Sequence, residues 1–246
     1  MIAVAEGIWC FRRPSYFACS YVVAADDGAY AVDVGMDSGA ADFLDGLQSI
    51  RIDPRQVKGV FLTHWHNDHS AGAAFLKKNF GTPVYYADAE KPFLTRATAK
   101  HGLRAWLGER VPEEGPLVLL RGLLEEAAPT AVIADHLVRG GESLPGGFRA
   151  IASQGHTPGH VAYFHEPTRA LFCGDALAVV NGQLRLMARP VTPDLPAARE
   201  AALRCLNEDA CYICPGHRGA LTKNVADERA RLRAQLESGA PWPILG

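Results

Sequence analysis

No run of apolar residues in this 246-residue chain approaches the ~20 needed to span a bilayer, and Met1–Cys10 lacks the basic, then apolar, then small-residue order of a secretory leader. A soluble, cytoplasmic protein is the expectation. Neither sign of charge is in surplus. Lys+Arg 25 against Asp+Glu 27 gives a formal net charge of −2, without the basic excess that holds a protein on nucleic acid or an anionic membrane. Six cysteines at this length fall short of the disulfide density of a small secreted scaffold, so reduced thiols are expected. No stretch has linker composition and no repeat of about 20–50 residues is present, which leaves one domain over residues 1–246. Histidine is what the chain does have: nine, several of them clustered.

Short apolar runs joined by turn residues (Gly7–Phe11, Ser20–Ala24, Asp26-Asp27-Gly28, Ala29–Asp33) predict a hairpin-rich sheet. Phe43, Leu44, Leu47 and Ile50 recur at helical spacing between Ser38 and Pro54. A strand over Val57–Thr63, a helix over Ala71–Phe80 and a strand over Val84–Tyr86 follow, an order that favours an α/β arrangement. Residues 88–128 hold Leu, Ala, Arg and Glu in helical proportions, broken at Pro92, Pro112 and Pro116, and read as a helical insertion. Further strands are expected at Ala131–Ile133, Phe148–Ile151, Val161–Phe164, Ala170–Cys173 and Cys211–Cys214. Helices are expected at Pro196–Leu206 and Asp227–Leu236.

The chemistry starts just after the strand ending Leu62-Thr63, with His64-Trp65-His66-Asn67-Asp68-His69. Alternation along an extended backbone lets His64 and His66 share a face, and a turn lets Asp68 and His69 converge from another side. The spacing is not the i,i+4 pair of a helical His-Glu-x-x-His site. Imidazole suits zinc, iron and other borderline metals, and a carboxylate adds a negative charge. A His-rich surface loop is the plainer alternative. Against it, metal-capable side chains recur after later strands: His156 in Gly155-His156-Thr157-Pro158-Gly159-His160, Asp175 after Gly174, and His217 after Pro215-Gly216. Each lies beside a glycine, which permits tight backbone geometry.

In this order across residues 64–217, and with Ala31-Val32-Asp33-Val34-Gly35 as an early Asp-containing strand end, the chain resembles the metallo-β-lactamase superfamily. The resemblance implies an α/β fold, an αββα sandwich of two mixed sheets packed face to face with helices outside and a metal site at one edge. It implies that His64, His66 and His156 hold a first metal, that Asp68, His69 and His217 hold a second, and that Asp175 bridges the two. The cofactors would be two divalent metal ions, zinc first, with iron or manganese as alternatives. An intact Asp68 and His69 resemble the dinuclear glyoxalase II-like and lactonase branches. The implied activity is hydrolysis of a small ester-like bond, thioester or lactone, by a metal-bridging hydroxide, with Asp68 as the catalytic residue relaying a proton to the leaving group. Four positive charges against two carboxylates and neutral imidazoles leave such a site electropositive, which lowers the pKa of a bridging water toward neutral.

The alternative is an oxidoreductase similar to the persulfide dioxygenases, which keep similar ligand residues around a single iron. A small-molecule substrate is expected, with no nucleic acid and no membrane partner. A homodimer suits superfamily members of this size, although no residue places an interface. Glyoxalase II enzymes carry an extra C-terminal helical region for glutathione, whereas one helix is expected here after His217, which turns the expectation away from glutathione thioesters. The 88–128 insertion would instead cover the site, with Leu103, Trp106, Leu107, Leu117 and Leu119 making that cover apolar.

Lesser signals have simpler readings. Asp33 is expected to orient a ligand of the His64–His69 loop through a hydrogen bond. Thr-Pro-Gly between His156 and His160 argues against a helix, so His160 is expected to be structural. His101, His136 and His165 read as surface or satisfied core positions. Cys211-Tyr212-Ile213-Cys214 reads as an apolar strand, not a redox or zinc pair. Arg229, Arg231 and Arg233 read as a solvated helix face.

Overall fold

The computed structural model describes residues 1–14, 16–95, 107, 110–111 and 130–244. Four antiparallel strands open the chain: β1 (Ile2–Ala5), β2 (Ile8–Arg12), β3 (Cys19–Ala25) and β4 (Gly28–Val32). After α1 (Ala41–Ser49), the sheet continues in parallel with β5 (Val57–Phe61), β6 (Val84–Ala87) and β7 (His136–Val138), giving the order β1 to β7 across seven strands. Between β5 and β6 lie the short α2 (Asn67–Ser70) and α3 (Ala73–Phe80); a 3-10 turn at Asp88–Glu90 and α4 (Lys91–Leu94) follow β6.

The second sheet is built from β8 (Ser143–Leu144), β9 (Phe148–Ala152), β10 (Val161–His165) and β11 (Ala170–Gly174). A hairpin of β12 (Ala178–Val180) and β13 (Gln183–Arg185) follows, then α5 (Leu195–Asn207), β14 (Tyr212–Pro215) and α6 (Val225–Glu237). Spatial order in this sheet is β14-β11-β10-β9-β8, with β14 parallel to β11.

Side-chain alternation sorts three apolar layers. Phe61, Phe148, Tyr163 and Phe172 face between the sheets, with the Phe61 and Phe148 rings 4.8 Å apart. From the same strands Val60, Ala162, Phe164 and Leu171 face outward. On one side they meet Phe43 and Leu47 of α1 and Leu76 of α3. On the other they meet α5, α6 and the β12–β13 hairpin. The result is the expected αββα sandwich, held by burial on both faces of each sheet.

Several expectations shift. Residues 131–133 form no strand, because their polar groups are met elsewhere: Val132 N–H donates to Leu94 O at 2.8 Å and the Tyr86 hydroxyl donates to Val132 O at 3.0 Å. Pairing with β6 starts only at His136. The helix expected over Ala71–Phe80 begins at Ala73, just after the short α2, and between the two Gly72 packs so tightly that a Cβ would lie 2.8 Å from Val34 O. Strand β1 and the β12–β13 hairpin are not among the expected strands, although Ile2–Ala5 and Ala178–Val180 are short apolar runs. Arg229 and Arg233 are not simply solvated. Their guanidinium groups converge on Leu206 O, in the last turn of α5, at 3.2 and 2.5 Å, where a cation complements the helix dipole.

Of the 88–128 insertion, only Asp88–Thr95, Leu107, Arg110 and Val111 fall among the described residues, so Leu103, Trp106, Leu117 and Leu119 lie outside them. His101 lies outside them too. No helix among the described residues is long and apolar enough to cross a membrane.

Candidate metal centre

Every candidate ligand follows the C-terminal end of a strand: His64 to His69 after β5, His156 after β9, Asp175 after β11 and His217 after β14. The sheets are tied together at this edge. Val161 N–H donates to Thr63 O at 2.9 Å, the Tyr163 hydroxyl to Leu62 O at 2.8 Å, and the Tyr21 hydroxyl to Pro215 O at 2.7 Å. Gly216 lies so close to the centre that a Cβ there would collide with Asp175 Oδ1 and His69 Cε1.

All seven predicted residues are brought together, in overlapping groups. His64, His66 and His156 form one; Asp68, His69 and His217 form another; His64, His69 and Asp175 join them, each group having ligand atoms within 4.8 Å of one another. Asp175 sits between. Its Oδ2 is 3.4 Å from His156 Nε2 and 3.3 Å from His217 Nε2, and its Oδ1 is 3.6 Å from His69 Nε2.

The outer ring nitrogens fix the orientation of these imidazoles. Asp33, fully turned inward at 2% exposure, accepts from Thr63 N–H and the Thr63 hydroxyl, and from His69 Nδ1, all at 2.8 Å. The Thr63 hydroxyl in turn accepts from His64 Nδ1 at 2.9 Å. His156 Nδ1 donates to Val191 O at 2.6 Å, and His217 Nδ1 to Tyr16 O at 2.9 Å. With Nδ1 as donor, Nε2 of each of these four rings, when the ring is neutral, turns a lone pair toward the centre. His160 meets Ser153 Oγ through Nδ1 at 2.7 Å, and its Nε2 accepts from Asp175 N–H at 3.0 Å, so it holds the Asp175 turn without joining the ligand groups.

Asp33 holds its place with a left-handed backbone, φ 57°.

The arrangement asks for a cation. His66 Nδ1 stands 3.0 Å from His64 Nε2 and 2.9 Å from His156 Nε2, although both partners present lone pairs. His69 Nε2 and Asp175 Oδ1 are buried and have no hydrogen-bond partner among the described residues. Unpaired buried polar atoms cost roughly 1–3 kcal/mol each, and coordination would satisfy them.

Electrostatics divide the site. Burial pushes His64, His66 and His156 down, His66 to about 3, keeping three neutral imidazoles together. Burial also pushes His69 down, but the carboxylates of Asp68, Asp175 and Asp33 outweigh it and hold His69 up at about 10. Asp175 stays well below the usual carboxylate range, because His217, His69 and His156 overcome its burial.

Other predicted positions sort themselves. His165 is a satisfied core histidine between Thr168 Oγ1 and Gly146 O, and His136 is exposed beside Glu142. Cys211 is exposed while Cys214 is buried, so the two do not converge. Residues absent from the sequence reading also serve the site: Thr63, Ser153, the Val191 and Tyr16 carbonyls, and Glu90, which accepts from Trp65 N–H and Gly159 N–H. Thr63 adjoins the first ligand and could have been marked; a carbonyl 35 residues from its histidine leaves no sequence signal.

Beside the centre, the Trp65 ring stacks on Phe93 of α4 with centroids 4.9 Å apart, and lies 4.3 Å from the His66 ring. Phe93 remains partly exposed, giving the rim an aromatic wall.

Known proteins are similar to this chain. The probable metallo-hydrolase YflN of Bacillus subtilis is 26% identical over 227 residues, covering 84% of this chain and 82% of that protein. A hydroxyacylglutathione hydrolase of Bdellovibrio bacteriovorus is 26% identical over 165 residues, but the match spans 65% of this chain and 50% of that enzyme. The crystal structure of the metallo-β-lactamase family protein TTHA1429 from Thermus thermophilus superposes with a TM-score of 0.64 at 22% identity, covering 96% of this chain and 81% of that one. Residues 16–217 match the family model of the metallo-β-lactamase superfamily, and the chain belongs to that superfamily.

Proposed function

We propose that this protein is a dinuclear metal-dependent hydrolase of a small ester-like substrate, a thioester or a lactone. The observation that carries the reading is the mutual approach of His64 Nε2, His66 Nδ1 and His156 Nε2 at 2.9–3.0 Å, with the nearby orphaned His69 Nε2 and Asp175 Oδ1. His64, His66 and His156 would hold one ion, Asp68, His69 and His217 the other, and Asp175 both. When bound, two such ions supply an activated water nucleophile and a Lewis acid at the scissile carbonyl.

The chain's own residues do the rest. Asp33, Thr63, Val191 O and Tyr16 O fix which imidazole nitrogen faces inward. Asp68, about a fifth exposed at its side chain, is the partly open carboxylate of the set and the group placed to hand a proton to the leaving group. Trp65 and Phe93 offer a flat apolar wall to an acyl group, which favours a small lipophilic substrate over a polynucleotide.

The test is the metal content per chain of the purified protein by elemental mass spectrometry, followed by hydrolysis assays on thioesters, lactones and phosphoesters. About two zinc per chain with turnover of a thioester or lactone is the expected result. About one iron per chain, with oxygen uptake on a persulfide, would replace this reading with the sulfur-oxidising one.

A further inference from the structure

Glu90 is a carboxylate with no exposed surface, set in the 3-10 turn between β6 and α4. It accepts from backbone N–H groups of two separate ligand loops. Oε2 accepts from Trp65 N–H at 2.8 Å, between His64 and His66. Oε1 accepts from Gly159 N–H at 2.6 Å, in the turn that carries His156 and His160. The contact with the second loop is tight: a Cβ at Gly159 would lie 2.8 Å from Glu90 Oε1 and 2.9 Å from Glu90 N. A buried carboxylate carries a desolvation cost that a neutral side chain would avoid. Burial does push this carboxyl up, with the Thr157 hydroxyl and the two N–H groups opposing it. The cost is met where two acceptor oxygens are needed back to back.

His66 comes from the β5 side of the sandwich and His156 from the β9 side, yet His66 Nδ1 and His156 Nε2 stand 2.9 Å apart. Among the described residues, Glu90 is the side chain that hydrogen-bonds to both of their loops. We propose that Glu90 is a positioning residue that sets the spacing of His64 and His66 against His156, and so tunes the three-histidine group for its cation independently of Asp68, His69 and His217. His69 and His217 have anchors that Glu90 does not touch, Asp33 and Tyr16 O, with Asp33 reaching His64 as well through the Thr63 hydroxyl. Glutamine cannot replace the glutamate here: one acceptor becomes an NH2 donor aimed at an N–H. The same short segment mounts Phe93 on Trp65, so loosening Glu90 also loosens the aromatic wall. The proposal rests on the metal-binding reading above.

The test is a zinc titration of metal-stripped protein against a chromophoric chelator, comparing the natural chain with Glu90→Gln and Gly159→Ala, the second of which pushes the loop off an intact Glu90. His66→Ala and His217→Ala assign the two binding steps. Loss of a ligand-orienting partner typically weakens metal binding about 10–100-fold. Both test variants should show that loss in the step removed by His66→Ala, with the step removed by His217→Ala unchanged. Thermal unfolding of the metal-free forms separates this from a general structural role. Unchanged affinities in folded variants overturn the proposal, as does equal weakening of both steps alongside a large drop in metal-free melting temperature. If the natural chain binds no zinc, cobalt, manganese or iron, the metal-binding reading itself fails.

Discussion

The two halves of the sandwich furnish the site in opposite ways. The seven-stranded sheet delivers His64, His66, Asp68 and His69 from one six-residue loop, braced from within by Asp33 and Thr63. The five-stranded sheet delivers His156, Asp175 and His217 one at a time, after three different strands, and each is braced separately: by Val191 O, by His160 and by Tyr16 O. One half concentrates its chemistry in a single turn, so its ligand geometry is local. The other half distributes it, so its geometry depends on sheet register and on the approach of Gly216 to Asp175.

Substitutions should accordingly grade by how many ligand groups they touch. Asp175→Ala comes first, because its oxygens face His156, His217 and His69. Elemental analysis should find both ions lost and turnover at background, whereas His217→Ala should keep about one ion per chain. Equal metal loss in the two would remove the bridging role. His66→Ala should come next, losing the first ion and nearly all activity while the metal-free protein unfolds at an unchanged temperature, since His66 is half-buried and outside the apolar clusters. An active His66→Ala enzyme would refute the ligand assignment. Asp68→Asn, assayed with enough added metal to keep both sites filled, should lower kcat by about 10²–10⁴-fold, the usual contribution of a positioned proton-transfer group; an unchanged rate at full occupancy would leave Asp68 as a ligand alone. Cys211→Ser should be nearly silent, within about 0.5 kcal/mol in stability and without effect on rate, as for an exposed position away from the site. A folded, metal-loaded but dead variant would bring the Cys-x-x-Cys pair back into the chemistry.

The same contrast explains what the sequence made legible. A contiguous His64–His69 run after an apolar strand is visible by eye, and a glycine beside each of His156, Asp175 and His217 marks those turns. The strands that pack on both faces, such as β10 and β11, read as plain apolar runs whose bounds match the structure to within a residue. Three things were hidden because their causes are tertiary. Residues 131–133 have strand-like composition, yet the end of α4 and the Tyr86 hydroxyl take their hydrogen bonds. Arg229 and Arg233 look like a solvated helix face until α5 ends against them. Glu90 sits in Asp-Ala-Glu-Lys, a string with nothing to distinguish it from a surface helix. Its importance comes from where two other loops place their N–H groups.

Asp33 carries a consequence for how this chain can drift. Its left-handed backbone, at φ 57°, costs roughly 1–3 kcal/mol in a residue other than glycine, with Asn and Asp the usual exceptions. Backbone ease alone would therefore admit Gly or Asn as readily as Asp. Its side chain pulls the other way: three buried donors, Thr63 N–H, the Thr63 hydroxyl and His69 Nδ1–H, converge on its two oxygens. Releasing them would cost about 1–3 kcal/mol apiece, more than the strain relieved. Gly satisfies the backbone and abandons the donors. Asn satisfies the backbone and turns an amide N–H2 against at least one of them. Glu could reach as an acceptor but resists the left-handed turn. Position 33 is closed to neutral exchange from both directions at once, and in a diverging lineage it should stand still while the surface around it changes.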